Sequence, residues 1–312
     1  FLLNFAISKA YEDRLDYKSS HYFFTKANIQ KNAQLPEGID IFKNEIDFFY
    51  NIYKEKSSFL YKETISKIKP IFIVGLPRSG TTLIDRILSS KSDVISYGES
   101  PQFANQFKYY FNTYNKDEAI KDFKNFNEKQ INNFRDGYLN KIHKKKDINV
   151  FIDKMPFNYL YIPLIKKVFP NSVIILTKRD LRDIGLSLLK NHFADNKLNF
   201  VYSENQILEY FKLYQKVISL FKQKYKEYFY EIDYSELVSN PNKQISNLFQ
   251  VCDFKISVDD NLLNNVSNNF IADTVSVNQA DKKIYTSSDM IYKNYEPFLG
   301  NFFSNIKKIY DE

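Results

Sequence analysis

Pro70-Ile-Phe-Ile-Val-Gly-Leu-Pro-Arg-Ser-Gly-Thr-Thr-Leu-Ile84 decides the fold. Ile71 to Val74 is a short apolar, largely β-branched run, which predicts a buried parallel strand. Gly75-Leu-Pro-Arg-Ser-Gly80 breaks it, and from Thr81 the spacing turns helical, with Leu83, Ile84, Ile87 and Leu88 on one face. Strand, glycine-bounded loop and helix make the geometry that presents backbone N–H groups and a helix N-terminus to an anion. The spacing is that of the triphosphate loop G-x-x-x-x-G-K-[ST], with Thr82 as the hydroxyl but Thr81 where the lysine should stand. A loop without that lysine suits phosphate but is poorly built for a triphosphate. Arg78 places a fork-shaped cation inside it instead.

Outward from this stretch, strands and helices alternate. Residues 1 to about 60 are expected to be helical, with a turn at Asp16-Tyr17 and a linker at Leu35-Pro-Glu-Gly38. Val94-Ile-Ser reads as a short strand turning at Tyr97-Gly-Glu-Ser-Pro101, followed by a long polar helical region to about Lys146. Further strands are expected over 148–152, 172–176 and 228–234. Helices are expected over 157–169, 181–193, 204–226 and most of 237–252. The fold class is therefore α/β: a parallel sheet flanked by helices and preceded by a short helical hairpin. The domain expectation is a helical hairpin and linker over 1–60 and a catalytic domain over 61–312. Ligands of such sheets bind beyond the C-terminal ends of the strands, where Arg78, Glu99, Asp153-Lys154 and Arg179 fall.

Composition narrows the function classes. The chain has 312 residues with a net charge of +7, which suits a polyanionic ligand such as a nucleotide. No basic arm or aromatic RNA motif accompanies that charge, so nucleic acid is not expected as a partner. One cysteine, Cys252, in an apolar pattern excludes an internal disulfide or a paired-cysteine metal site. No histidine and carboxylate set has metal spacing, and no apolar run approaches a membrane span, so a cytoplasmic setting is favoured. The chain opens on Phe1 in helical spacing and reads as a fragment or processed product.

Leu76-Pro-Arg-Ser-Gly-Thr-Thr82 resembles the 5′-phosphosulfate loop of sulfotransferases that use 3′-phosphoadenosine-5′-phosphosulfate (PAPS). The resemblance is closest to the bacterial tetratricopeptide-linked and the tyrosylprotein sulfotransferases. Ala6-x-x-x-Ala-Tyr-Glu-Asp-x-x-Asp-Tyr17 is similar to the last repeat before the catalytic domain of the former; a plain helical hairpin reads equally well. The resemblance implies Arg78, Ser79, Gly80, Thr81 and Thr82 as the phosphosulfate cradle. Glu99, in Tyr-Gly-Glu-Ser, matches the catalytic base, although a carboxylate there would also stabilise the helix that follows Pro101. Lys154, in Asp-Lys-Met-Pro, matches the lysine that contacts the leaving oxygen. Arg179 and Ser187, in Arg-Asp-Leu-Arg-Asp-Ile-Gly-Leu-Ser, match the 3′-phosphate site.

Tyr234 matches a position at a strand end beside that phosphate, or is a sheet-end aromatic. Ser276 resembles a serine on the phosphosulfate, and Lys282, Lys283 and Lys293 fit a C-terminal pattern closing over the cofactor. The pattern is broken at Tyr292, where the family has Trp, at Ile291, where it has a basic residue, and at Asn191. His192 reads as a partly buried structural residue.

These residues together imply sulfuryl transfer from PAPS to a hydroxyl of a protein tyrosine, a sugar or a small molecule, with no metal. Glu99 would take the proton while Arg78, Lys154 and Ser276 stabilise the bridging oxygen. Two rivals remain: a phosphotransferase using a nucleotide on a P-loop, and a non-catalytic repeat-bearing adaptor.

Overall fold

The computed structural model describes residues 1–35, 38–54, 68–111, 116–142, 149–194, 196–254 and 289–311. Ser276, Lys282 and Lys283 lie outside them, as does the expected domain boundary near residue 60. The described chain forms two compact units. The first comprises Phe1–Tyr50, Arg179–Ser219 and Thr286–Glu312; the second comprises Asn51–Lys178 and Leu220–Tyr285.

The second unit holds a sheet of five strands, all parallel: β1 (Lys69–Gly75), β2 (Val94–Ser96), β3 (Val150–Asp153), β4 (Val173–Lys178) and β5 (Tyr230–Asp233). Their order is β2-β3-β1-β4-β5, so the strand that opens the deciding stretch is central. Its neighbours pair in the register Ile71 with Ile152 and Val173, and Val74 with Leu176. Successive side chains of β1 point to opposite faces, and both faces are covered. On one face Ile71, Ile73, Ile152, Ile175 and Ile232 pack with α4 (Thr81–Ser89), α11 (Tyr234–Ser239) and α12 (Pro241–Val251) in an aliphatic layer. On the other face Phe72 meets Phe103, Tyr138 and Phe169 at ring distances of 5.6, 6.2 and 6.1 Å. Those rings come from α5 (Gln102–Tyr110), α7 (Glu128–Ile142) and the residue after α8 (Ile162–Val168). Burial on both faces is why β1 is continuously apolar rather than alternating.

Several expected elements are redrawn, each for a local reason. The long polar helical region before residue 146 comprises, among the described residues, three helices, α5, α6 (Lys116–Lys124) and α7. Asn127 and Gln130 exchange side chain to backbone bonds, both 3.0 Å, in a capping box that starts α7 afresh. The expected helix 157–169 is a 3₁₀ turn, Pro156–Tyr161, followed by α8. Pro163 has no N–H to continue an α-helix through that point, so the chain tightens and restarts. The last expected strand ends earlier, because the Asp233 carboxylate accepts from the N–H groups of Ser235 (2.9 Å) and Glu236 (3.3 Å). Tyr234 is therefore the first residue of α11, not the end of a strand.

The first unit contains the expected helical hairpin, α1 (Leu2–Asp13) and α2 (Tyr17–Asn32), with Asp16 capping α2 through Ser19 N–H at 3.0 Å. Ser8 Oγ donates to Ser20 O at 2.8 Å across the crossing, and Tyr11 stacks on Phe23. Helix α9 (Leu181–Leu189) is held from three sides. Asn28 Nδ2 bonds Leu189 O at 2.8 Å, and Lys190 pairs with Glu12. Gly185 lies against Phe302 of α13 (Glu296–Asp311), where a Cβ would come within 3.0 Å of the ring. α3 (Ile39–Lys54) and α10 (Glu204–Lys224) pack through Phe42 on Tyr210 at 5.3 Å in the first unit. In the second unit the same two helices meet through Tyr53 on Phe221 at 5.6 Å.

Candidate functional site

The loop between β1 and α4 is fixed by its backbone. Gly75 has φ +145° and packs against Thr177, whose Oγ1 would lie 2.3 Å from an added Cβ. Ser79 Oγ bonds Leu76 O at 2.6 Å and also meets the Thr177 hydroxyl, so β4 pins the loop from the side. Arg78 has φ +70°, a left-handed conformation costly for a residue with a Cβ. Gly80 has φ +98° and begins α4 with the Tyr234 ring laid against it. Thr81 and Thr82, the first residues of α4, are buried. The loop thus ends at the N-terminus of α4, where a helix favours an anion, while the Ser79 N–H is bonded to Leu76 O at 3.2 Å. Tyr234, expected from sequence, is brought to the loop by α11 rather than by a strand.

That geometry makes Gly80→Ala costly. The φ angle strains any other residue, and the new Cβ would sit 2.5 Å from Tyr234 Cδ2. A loss of about 1–3 kcal/mol in chemical denaturation is expected from the backbone alone. Adding Tyr234→Ala should relieve the steric share and leave the backbone share.

Glu99 and Lys154 are brought together. Glu99 lies three residues past β2 and Lys154 directly follows β3, whose pairing sets the two turns side by side. Lys154 N–H donates to Gly98 O at 3.0 Å, and Gly98 has φ +60°, which aims the turn. Lys154 Nζ then donates to Glu99 Oε1 at 2.5 Å. The lysine is 1% exposed and the glutamate 40%, so a buried cation is held by a carboxylate that solvent can reach. This is an arrangement for moving a proton at the carboxylate while a cation waits beside it.

Behind the pair, Asp153 is fully buried and accepts from Tyr138 OH at 2.6 Å and Asn158 Nδ2 at 3.2 Å. Burial pushes its carboxyl up to about 7, against the downward pull of the Tyr138 bond and of Lys154. The folded protein therefore keeps a proton that the unfolded chain releases near 3.8. That contribution to stability is complete below about pH 4 and is lost as pH rises through about 7, an effect of order 4 kcal/mol. Asp153→Asn should remove this slope in unfolding free energy measured from pH 4 to 8.

Arg179 and Ser187 lie in the first unit. Arg179 Nη2 is 3.9 Å from the buried Asp183 carboxylate. Asp183 in turn accepts from the N–H groups of Met290 (2.8 Å) and Tyr292 (3.0 Å). Burial raises the Asp183 carboxyl, while Arg179 and those two N–H groups restrain it. Ser187 is buried one turn further along α9. Tyr292, standing where the related pattern has Trp, stacks under the Arg182 guanidinium at 4.0 Å. His192 is structural: its Nδ1 meets Tyr202 OH at 2.9 Å between the rings of Phe1 and Phe5, and burial lowers its pKa. Cys252 is buried, its thiol pushed up to about 12 by burial, which leaves it unreactive.

Sequence reading missed Thr177, which pins the loop through Ser79. It closes the apolar run Val173–Leu176 just before Lys178-Arg179-Asp180, and a hydroxyl at the C-terminal end of a buried strand is the signal that could have found it. Among the described residues no cluster of histidine, cysteine and carboxylate side chains could hold a metal, and no helix is long and apolar enough to cross a membrane.

Residues 70–259, more than half of the chain, match the model of the sulfotransferase family. An uncharacterized protein of Aquifex aeolicus (strain VF5) is 26% identical over 318 residues, which cover 95% of this chain. The chain spans 40% of the length of that relative. Among solved structures, the sulfotransferase domain of the Synechococcus PCC 7002 olefin synthase is similar with a TM-score of 0.50 at 15% identity, covering 81% of this chain and 98% of that one. A sulfotransferase domain from the curacin biosynthetic pathway gives 0.44 at 18% identity, over 78% and 96%. The first of these likenesses supports the fold.

Proposed function

This chain belongs to the sulfotransferase family, and from that premise we propose that it moves a sulfuryl group from PAPS to an acceptor hydroxyl. The observation that carries the proposal is the Glu99–Lys154 pair. A solvent-reachable carboxylate takes the acceptor proton, and the buried ammonium beside it turns to the bridging oxygen on which charge develops. The loop residues Arg78, Ser79, Gly80, Thr81 and Thr82 hold the 5′-phosphosulfate, with Tyr234 closing against Gly80. Arg179 and Ser187 hold the 3′-phosphate, the group that distinguishes PAPS from adenosine phosphates lacking it. Ser276 and Lys282 are proposed as further contacts to the donor. The acceptor's oxygen gains the sulfuryl group, the S–O bond to the 5′-phosphate breaks, and the acceptor's proton goes to Glu99. Thr81 in place of lysine favours this chemistry over phosphoryl transfer from a triphosphate. Residues 1–60 and 61–312 are proposed as helical and catalytic segments of one sulfotransferase.

Incubation with [³⁵S]PAPS and a panel of phenolic peptides, sugars and small alcohols tests the proposal. Transfer of label that is insensitive to EDTA is the expected result. Hydrolysis of Mg-ATP with no transfer from PAPS would replace it with the phosphotransferase reading.

A further inference from the structure

We infer that Glu12 of the helical hairpin is a positioning residue for α9, the helix that carries Arg179 and Ser187, so that the hairpin is built into the 3′-phosphate side of the site rather than appended to it. The consequence for donor binding rests on the 3′-phosphate reading above. Glu12, α9 and the C-terminal segment from Met290 all belong to the first unit.

α9 has nine residues, too few for a helix that stands alone, so the contacts at its two ends decide where Arg179 and Ser187 are held. At its start, Leu181 N–H donates to Tyr310 OH at 2.6 Å. One turn on, Asp183 faces Arg179 at 3.9 Å and accepts from Met290 and Tyr292 N–H. At its end, the carbonyl of Leu189, among those a helix leaves unpaired, accepts from Asn28 Nδ2 of α2 at 2.8 Å. The next residue, Lys190, pairs with Glu12 of α1. Their side chains are 14% and 11% exposed, so this ion pair is largely buried. Such a pair is a weak source of stability, but separating its charges is costly, and it therefore tolerates one arrangement.

Glu12 takes a second bond. Tyr295 OH donates to Glu12 Oε1 at 3.2 Å and meets Ser20 Oγ of α2 at 3.0 Å. Ser20 Oγ in turn meets Ser8 Oγ of α1 at 3.1 Å. Tyr295 ends the 3₁₀ turn Ile291–Tyr295, and Tyr292 of that turn is bound by Asp183. The turn therefore joins the two ends of α9: Asp183 near the start directly, and Lys190 past the end through Glu12. Ser187 lies between them, its carbonyl accepting from Asn191 Nδ2 at 2.7 Å. Glu12 is the group on which the hairpin, the 3₁₀ turn and the end of α9 converge, and it supports the residues that present Arg179 and Ser187 without touching a ligand itself.

The test is Glu12→Gln and Tyr295→Phe in the full chain, with calorimetric affinities for 3′-phosphoadenosine-5′-phosphate and for AMP, which lacks the 3′-phosphate. The first variant removes the charge at constant volume, and the second removes only the hydroxyl. Both are expected to weaken the 3′,5′-diphosphate by about 3- to 30-fold and to leave AMP within about twofold. An unchanged ratio of the two affinities in the folded variants, whether both ligands weaken alike or neither does, overturns the inference. Hydrogen exchange on the same samples should be faster over residues 181–190 and unchanged in β1. Should the unmodified protein not prefer the diphosphate to AMP, the 3′-phosphate reading falls. Faster exchange confined to α9 then still supports the role of Glu12, and unchanged exchange overturns it. Failure of both variants to fold makes Glu12 a purely structural residue and also overturns it.

Discussion

Replacing Glu99 by Gln should lower kcat by about 10²- to 10⁴-fold, the usual range for a lost general base, while affinity for 3′-phosphoadenosine-5′-phosphate stays within about twofold. The amide keeps an oxygen for the 2.5 Å bond from Lys154 but cannot take a proton at neutral pH. The change also leaves a buried ammonium beside a neutral partner. Because Glu99 is 40% exposed, solvent covers part of that loss, and the stability cost should be about 1 kcal/mol. Measuring kcat, product affinity and Tm on the same preparation separates the two effects. Turnover within about threefold of the unmodified protein would remove Glu99 from the role of base.

Lys154→Met is expected to have the next largest effect, a loss of about 10²- to 10³-fold in kcat with KM nearly unchanged, since the lysine's charge matters most as the bridging oxygen becomes anionic. Methionine keeps most of the buried stem volume, so the site should not collapse. Stability should hold, because the partner left behind, Glu99, reaches solvent. Lys154→Arg should not restore the rate, since a planar fork does not fit a pocket in which the lysine is 1% exposed. Glu99 and Lys154 touch, so the double variant should lose much less than the product of the two single losses. A Lys154→Met variant whose defect is confined to KM would assign the lysine to ground-state binding.

The parts of this molecule legible in the sequence were those set by local pattern. Ile71 to Val74 reads as a buried strand because both faces of a central parallel strand are apolar, and the glycine-bounded loop reads as a loop because Gly75 and Gly80 need positive φ. Glu99 and Lys154 could be singled out by motif, but their 2.5 Å contact could not, because it depends on β2 and β3 pairing across three intervening helices. Tyr234 reads from the sequence as the end of a strand and is the first residue of α11. The Asp233 cap, a side-chain hydrogen bond, ends the strand one residue before it. Thr177 is not singled out by pattern because it closes the apolar run Val173–Leu176 beside Lys178-Arg179-Asp180, and its partner Ser79 lies on another element. Apolar periodicity after Lys154 reads as one helix, whereas Pro163 divides it into a 3₁₀ turn and the short helix α8.

Whether the protein reads a 3′-phosphate on an adenosine 5′-phosphosulfate is decided by thermal unfolding in the presence of 3′-phosphoadenosine-5′-phosphate, AMP, ATP and Mg-ATP. At a hundredfold excess over its dissociation constant a specific ligand adds about 2.7 kcal/mol. A rise in Tm with the 3′,5′-diphosphate, little with AMP, and loss of the difference in Arg179→Ala is the predicted result. A rise with Mg-ATP alone, or no rise with any of the four, would contradict it.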